Sequence, residues 1–134
     1  VLFRSYGLAH QHDDLAMAQA VMQGVAFALR DCADAFRSGG SELRRLLAIG
    51  GGSRSRPWLS MISTSLGVEL DVPRTGALGA AFGAARLGMI AASGAAPDTV
   101  LRRPALREAI GPEPAHADGY AQAYDRWRTV AALC

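Results

Sequence analysis

The residues of this sequence best suited to bind a ligand form the run 50–55, Gly-Gly-Gly-Ser-Arg-Ser. Three successive glycines carry no side chain, so a ligand can lie directly against their backbone N–H groups. A helix predicted to begin at Pro57 adds free N–H donors and the positive end of its dipole, which favour a phosphate. Arg54 and Arg56 could add charge or stack on a purine ring. The run therefore indicates a nucleotide-binding turn, and a plain strand-to-helix turn with solvated arginines stays open as the alternative.

The same residues exclude several known motifs. The sequence has 14 arginines and no lysine, so it offers neither a phosphate-loop lysine nor a Schiff-base lysine. The glycines at 50–52 do not follow the Gly-x-Gly-x-x-Gly spacing of dinucleotide-binding turns. There is no Gly-x-Ser-x-Gly run of the kind that carries a hydrolase nucleophile. A nucleotide at this turn would have to be held in another way.

Other chemically able side chains are interpreted as structural. His10 and His12 stand two residues apart, and a metal site would need further ligands, so no metal site is predicted. Asp31 and Asp34 are expected on the solvated face of a helix rather than as an acid–base pair. Trp127 is expected to pack in the protein rather than to stack on nucleic-acid bases.

Composition bounds the class of protein. The chain has 134 residues, 50% of them hydrophobic, which fits one folded domain over 1–134. A net charge of +2 is too small to indicate a nucleic-acid or membrane-surface partner. No apolar run reaches the roughly 18 residues needed to span a bilayer. Cys32 and Cys134 are the only cysteines, and two cysteines make no disulfide framework, so a cytoplasmic location is expected.

A long helix is predicted over about 13–38, ended by Gly39 and Gly40. Its apolar residues follow one another at steps of three and four, which makes one continuous stripe expected to face the core. The stripe consists of Leu15, Ala18, Met22, Val25, Leu29, Cys32 and Phe36. Phe27 lies off the stripe and predicts a contact on a second side.

Further helices and strands alternate after it, which indicates an α/β fold with a parallel strand pair. Runs at 46–49 and 68–72 predict strands, the first of them buried on both faces because it is unbroken and apolar. Helices are predicted at about 57–66, 76–92 and 115–133. Prolines make 95–114 loop-rich, which separates a core over 1–94 from a C-terminal helix over 115–134. Two strands are too few for a covered sheet, so further strands are expected.

Three segments together resemble one known family. Residues 20–31 resemble the long helix in the second domain of FGGY-family carbohydrate kinases, and 49–55 with Trp58 resemble the adenosine motif of that family. Residues 77–87 resemble its small-residue helix, and the spacing between the three also matches. The resemblance runs from about Tyr6 to Ala92.

The resemblance implies part of a second actin-like, ribonuclease-H-like ATPase domain, with helices on a small mixed sheet. It implies transfer of the γ-phosphoryl group of ATP, with Mg²⁺, to a ketose such as xylulose. The early strands of the domain, the sugar-binding first domain and the catalytic aspartate are expected before Val1, so no catalytic residue is expected in this chain and the chain alone is expected to be inactive.

Carried over by position, the resemblance implies nucleotide contacts at the turn. Gly51 and Gly52 are expected to approach the nucleotide through their backbone, while Ser53, Arg54 and Arg56 line the same pocket. The helix that contains Gly79 and Gly83 is expected to shape the pocket wall, and Trp58 is expected to pack beneath the turn. Many relatives have Arg and Glu where this chain has Gln19 and Gln23.

A rival interpretation is a non-catalytic binding or assembly module, in which the glycine turn is structural and the apolar helices meet a partner chain. Without the strands expected before Val1, the strand at 46–49 would have an unpaired edge, which predicts poor solubility or a homodimer.

Overall fold

A three-stranded sheet with helices against it makes up the computed structural model, which describes residues 6–75 and 79–133. In chain order the elements are α1 (Asp14–Ser38), β1 (Arg45–Leu47), a 3-10 turn (Gly51–Arg54), α2 (Arg56–Leu66), β2 (Glu69–Pro73), α3 (Gly79–Ser93), α4 (Pro97–Val100), β3 (Leu106–Ile110) and α5 (Pro114–Ala131). The predicted helices and the two predicted strands occur in the expected order, whereas α4 and β3 were not predicted. Residues 76–78 of the predicted helix 76–92, and Cys134, lie outside the described residues.

Local capping explains where the helices start and stop. The Asp13 carboxylate accepts the N–H of Ala16 at 2.8 Å, which caps the first turn of α1. Ser55 caps α2 in the same way, and Pro57 follows in the first turn of that helix, where its missing N–H costs nothing. Gly67 ends α2 with φ 66°, a left-handed conformation that glycine adopts without strain.

The sheet is mixed and has the order β1-β2-β3. β1 runs parallel to β2, with Leu46 opposite Leu70, and β3 runs antiparallel to β2, with Ile110 opposite Leu70. β3 and the short α4 lie in the segment 95–114, which the sequence indicated as loop-rich, and neither element was predicted. Prolines flank the strand rather than interrupt it, and Ile110 is its only β-branched residue, which left little strand signal.

Two clusters hold these elements together. One face of the sheet packs with α2 and α1 around a buried apolar core, consisting of Ala33, Leu59, Leu66, Val68, Leu70, Val72 and Ile110. The second cluster joins α1 to α5, where Phe27 lies 5.8 Å from Tyr124 and 6.1 Å from Trp127 between ring centroids. Phe27 is 4% exposed, so the contact predicted on the second side of α1 is confirmed.

The apolar stripe of α1 is not buried among the described residues, which corrects the sequence-based expectation. Leu15 is 75% exposed and Phe36 is 61% exposed. β1 is likewise not buried on both faces, because the described chain covers only one of them: Leu46 packs on the core, whereas Leu47 and the following Ile49 are exposed. The core-facing side of α1 is instead the side that carries Ala26, Phe27 and Ala33.

These exposed side chains border an apolar groove, defined here as the cavity of about 580 Å³ between α1, β1 and α2. Six of its lining residues are Leu29, Phe36, Leu46, Ile49, Trp58 and Ile62. The whole chain has an accessible surface of 9412 Å², about 2,700 Å² more than a compact globular monomer of its mass exposes. None of the helices in the described part is long and apolar enough to cross a bilayer.

Candidate nucleotide-binding turn

The glycine turn leads from the end of β1 into α2. Gly50 has φ 87° and ψ −177°, a conformation open to glycine and strained for residues with a Cβ. Gly51 then begins a single 3-10 turn, in which the backbone N–H of Ser53 donates to the carbonyl of Gly50 at 3.1 Å. The turn is therefore a defined structure rather than a flexible loop, and its first N–H groups have no acceptor within the turn itself.

Each of the three glycines has a different local reason. Gly50 is required by its positive φ. At Gly52 a Cβ would lie 3.2 Å from the indole Nε1 of Trp58, which packs beneath the turn as predicted. At Gly51 a Cβ would meet nothing within 4 Å. Within residues 6–75 and 79–133, neither backbone conformation nor internal packing thus calls for glycine at Gly51, and no atom of these residues fills the space beside it.

The polar residues predicted at the turn differ in what they can offer a ligand. The Ser53 side chain is buried, and its hydroxyl donates to the Gly50 carbonyl at 2.7 Å, so it holds the turn together. Arg54 is exposed, and no hydrogen bond or ion pair of its guanidinium is found within residues 6–75 and 79–133. Arg56 is exposed but pairs with Glu108 on β3. Arg54 is therefore the side chain of the turn best placed to take up a charged ligand.

Two residues of β3 support the turn, and sequence reasoning missed both. Glu108 accepts from Arg56 and also from Arg107, whose Nη2 lies 2.8 Å away. Arg107 in turn donates to the carbonyl of Ser53 at 3.4 Å. These residues were missed because β3 itself was missed, and only the strand pairing of β3 with β2 brings them to a turn more than 50 residues earlier.

The first residue of α3 lies beside the glycine turn. A Cβ built on Gly79 would lie 3.7 Å from the backbone nitrogen of Gly50. The helix expected to shape the pocket wall thus begins against the glycine turn. Gly83, four residues on, has nothing within 4 Å of an added Cβ, so its lack of a side chain serves no internal contact.

The strongest electrostatic cluster lies on the sheet rather than at the turn. Asp71 is 1% exposed and accepts hydrogen bonds from Arg45 and from Arg103, the latter at 3.0 Å. The hydrogen bond from Arg45 lowers the pKa of the Asp71 carboxyl below its ordinary value, against burial, which raises it. The same pairing raises the pKa of Arg45. This cluster joins β1, β2 and the segment before β3, and so fixes the strands that lead into the turn.

The remaining candidates do not assemble into a catalytic or metal site. In the described ranges, no group of three or more His, Cys, Asp and Glu residues is placed to hold a metal ion. The ring of His12 accepts the N–H of Ala9 at 3.0 Å, a local turn contact. Asp31 and Asp34 do not form a purely solvated face, because both accept from the hydroxyl of Tyr124. The turn thus offers backbone N–H groups and the Arg54 guanidinium to a ligand, and the carboxylate described beside it, Glu108, is paired with Arg56 and Arg107.

Known proteins that are similar to this chain identify its family. Residues 3–92 match the FGGY family of carbohydrate kinases, C-terminal domain. The chain is 42% identical over 88 residues to a xylulose kinase of Escherichia coli (strain K12), covering 66% of this chain and 18% of that protein. It is 37% identical over 111 residues to a xylulose kinase of Klebsiella pneumoniae, covering 83% of this chain and 22% of that protein. The chain thus belongs to the FGGY family of carbohydrate kinases, and it spans about a fifth of the length of these curated relatives.

Solved structures show the same fold. The crystal structure of a xyloylose kinase from Brucella ovis matches with a TM-score of 0.81 and 49% identity, covering 95% of this chain and 26% of that chain. A xylulose kinase from Rhodospirillum rubrum matches with a TM-score of 0.76 and 28% identity, covering 96% of this chain and 26% of that chain. The predicted class, helices packed on a small mixed sheet as part of an actin-like ATPase domain, is confirmed.

Proposed function

We propose that this chain is the nucleotide-binding part of a xylulose-kinase-like enzyme, and that it holds ATP against the glycine turn. The observation that carries the proposal is the space beside Gly51. It is the one glycine of the three that neither backbone conformation nor packing accounts for, and an added Cβ there would enter open space. A ligand that lies against the backbone explains a missing side chain at this position.

The residues of the turn would act by binding and orientation. The backbone N–H groups at the start of the turn are free to donate to phosphate oxygens, and the Arg54 guanidinium can add a charged contact. Glu108 and Arg107 would keep the turn in its shape from β3. The described residues do not fit a Mg²⁺ site of their own. Mg²⁺ therefore enters the proposal only as the ion that accompanies the phosphates of ATP.

The proposed reaction and its acceptor are those of the full-length protein to which this chain would belong. The relatives are named as xylulose kinases, so the proposed acceptor is a ketose such as xylulose, with ADP and a sugar phosphate as products. Phosphoryl transfer needs a base, an acceptor and the nucleotide placed to within about an ångström of one another. This chain provides one wall of such a site, so we expect no kinase activity from it alone.

The proposed partner is the rest of a full-length kinase polypeptide, with its sugar-binding part. Solved relatives are about four times as long as this chain. The apolar groove and the free edge of β1 offer a surface that this additional chain would cover. The surface excess of about 2,700 Å² is as large as one side of a permanent interface. Location in the cytoplasm stays part of the proposal and rests on the cysteine content.

The test is a titration of the purified chain with ATP and Mg²⁺ by calorimetry, comparing the wild type with Gly51→Asp. An aspartate at residue 51 has room in the protein, and it would repel the phosphates and fill the space beside the backbone. Gly119→Asp is the matched control, because Gly119 also has nothing within 4 Å of an added Cβ and lies on α5. Circular dichroism first establishes that all three proteins are folded.

We expect binding by the wild type and by Gly119→Asp, and affinity at least tenfold weaker for Gly51→Asp, since one lost charge-assisted contact is worth about 1.5 kcal/mol or more. Equal affinity in all three proteins would place ATP elsewhere. A folded wild type that does not bind ATP would instead favour the assembly module, the second candidate function. That candidate is favoured by the apolar groove, and its signature would be stable association by a folded chain that does not bind ATP.

A further inference from the structure

α3 is a helix of 15 residues that packs little apolar surface against the rest of the described chain. None of its residues is buried, and its exposed side chains include Leu87 and Met89. Burial of an apolar face, the usual source of helix stability in proteins, is thus slight for α3 within the described part of the chain. Yet its first residue, Gly79, lies against Gly50 of the glycine turn.

Among the described residues, the side-chain hydrogen bonds that join α3 to later segments of the chain come from Arg86. Arg86, in the middle of α3, donates from Nε to the carbonyl of Val100 at 2.7 Å. Its Nη2 donates both to the same carbonyl and to that of Arg102. The guanidinium also lies 5.0 Å from the centre of the Phe82 ring. Several charge-assisted hydrogen bonds from one planar group fix both distance and orientation, which an ammonium group does less well.

The segment 100–102, to which Arg86 donates its hydrogen bonds, is itself held to the sheet by the residues that follow it. Arg103 follows it directly and donates to the buried carboxylate of Asp71 on β2 at 3.0 Å. The backbone N–H of Arg74, just after β2, donates to the carbonyl of Ala105 at 2.9 Å. A continuous set of contacts therefore runs from β2, through residues 100–105 and Arg86, to the helix that borders the glycine turn.

We propose that Arg86 is a positioning residue for the nucleotide site: it holds the start of α3 against the glycine turn and so sets the affinity for the nucleotide. The inference rests on the proposed function for its ligand, ATP. It goes further because it names a residue outside the glycine turn: Arg86 lies about two helical turns along α3 from Gly79, and its described hydrogen bonds go to Val100 and Arg102.

The experiment compares the wild type with Arg86→Ala, Arg86→Lys and the control Arg126→Ala. Arg126 is an exposed arginine of α5, on a different element from the site. Hydrogen exchange of the nucleotide-free chain is measured first, over α3 and over the core helices α1 and α2. ATP affinity in the presence of Mg²⁺ and the melting temperature are measured on the same preparations.

For Arg86→Ala we expect exchange over residues 83–93 to rise about tenfold or more, with α1 and α2 unchanged, and ATP affinity to fall about tenfold, as lost charge-assisted hydrogen bonds would give. The melting temperature should stay that of the wild type, because α3 adds nothing to the buried core. Arg86→Lys should restore part of the affinity, since an ammonium can still reach one carbonyl. Arg126→Ala should match the wild type.

Unchanged exchange of α3 in Arg86→Ala would overturn the positioning role, whether or not ATP binds. Faster exchange with unchanged ATP affinity would overturn the link between α3 and the nucleotide. If the wild type itself fails to bind ATP, the proposed function and the effect of Arg86 on affinity both fail, while the exchange data still decide whether Arg86 places α3.

Discussion

The indole Nε1 of Trp58 lies 3.2 Å from the point where a Cβ on Gly52 would sit, whereas the equivalent point on Gly51 is open. Two neighbouring glycines of one turn thus have different structural roles. Gly52 lets the turn close over a side chain of the protein, and Gly51 leaves room outside it. A substitution at Gly52 disturbs the fold as well as any ligand, which makes Gly51 the cleaner probe of binding.

Gly52→Ala should destabilise the chain by about 1 kcal/mol, because the new methyl group would lie 3.2 Å from the Trp58 indole Nε1 and the ring must shift by a few tenths of an ångström. Gly51→Ala should change the free energy of unfolding by less than about 0.5 kcal/mol, the usual range for an exposed substitution without steric conflict. Urea unfolding followed by circular dichroism measures both. Equal stabilities of the two variants would show that Trp58 yields freely and that the turn is not packed as described.

Tyr124→Phe should lower stability by about 1 kcal/mol at neutral pH. The Tyr124 hydroxyl donates to Asp31 at 2.6 Å and to Asp34 at 3.3 Å, which joins α5 to α1. The phenylalanine keeps the ring contacts with Phe27 and removes only these bonds. The half-exposed carboxylates regain water, so the loss stays modest. A loss of several kcal/mol would mean that the hydroxyl supports more than this helix pair.

The same tyrosine predicts sensitivity to alkali. Burial, followed by the hydrogen bond to Asp31, raises the pKa of Tyr124 above its ordinary value, which is near 10. The unfolded chain then loses this proton before the folded one does. The stability contributed by Tyr124 should be intact below about pH 10 and fall as the pH rises further. Unfolding of wild type and Tyr124→Phe at rising pH tests this, and parallel curves would contradict it.

Asp71→Asn should lower stability by about 2 kcal/mol at neutral pH, since it removes the charge from hydrogen bonds with Arg45 and Arg103. Because the pKa of Asp71 is lowered in the folded chain, its contribution is present above about pH 4 and lost as the pH falls below that value. The wild type should therefore lose more stability than Asp71→Asn between pH 5 and lower values, as measured by urea unfolding. An equal loss of unfolding free energy in the two proteins as the pH falls would show that Asp71 does not contribute to the acid sensitivity.

The purified chain should associate with itself at micromolar concentration through the apolar groove and the edge of β1. Phe36→Glu combined with Ile49→Glu should shift it towards monomer, because both side chains are exposed on that face. Leu133→Glu, also exposed but at the end of the chain, serves as the control. Sedimentation velocity distinguishes the states. A wild type that stays monomeric with a sharp thermal transition would contradict the prediction.

Local signals in the sequence were enough for most helices and two strands. Asp13 and Gly39 bound α1 where capping rules place them, and Pro57 and Gly67 do the same for α2. β3 could not be predicted from its own residues, because they carry little strand preference. The strand forms by pairing with β2, which is distant in sequence. The face of α1 that is buried could not be found either, since the stripe of larger apolar residues is the face that the described chain leaves open.

The candidate site divides in the same way. The glycine run and the arginines beside it could be found from residue types alone. The roles within the run could not, because the distinction between Gly51 and Gly52 depends on where the Trp58 ring lies. Arg107 and Glu108 are distant in sequence, and Arg86 acts through backbone carbonyls, which leave no trace in the sequence.

The contact between α1 and α5 links residues as far apart as Asp31 and Tyr124, which are 93 positions apart. During synthesis at about 5–20 residues per second, α1 leaves the ribosome several seconds before the helix that covers Phe27 exists. Until then this aromatic ring has no native neighbour from α5. Between the synthesis of α1 and that of α5, the Phe27 ring is therefore open to aggregation, and chaperones that bind exposed aromatic segments are expected to bind α1 in that interval.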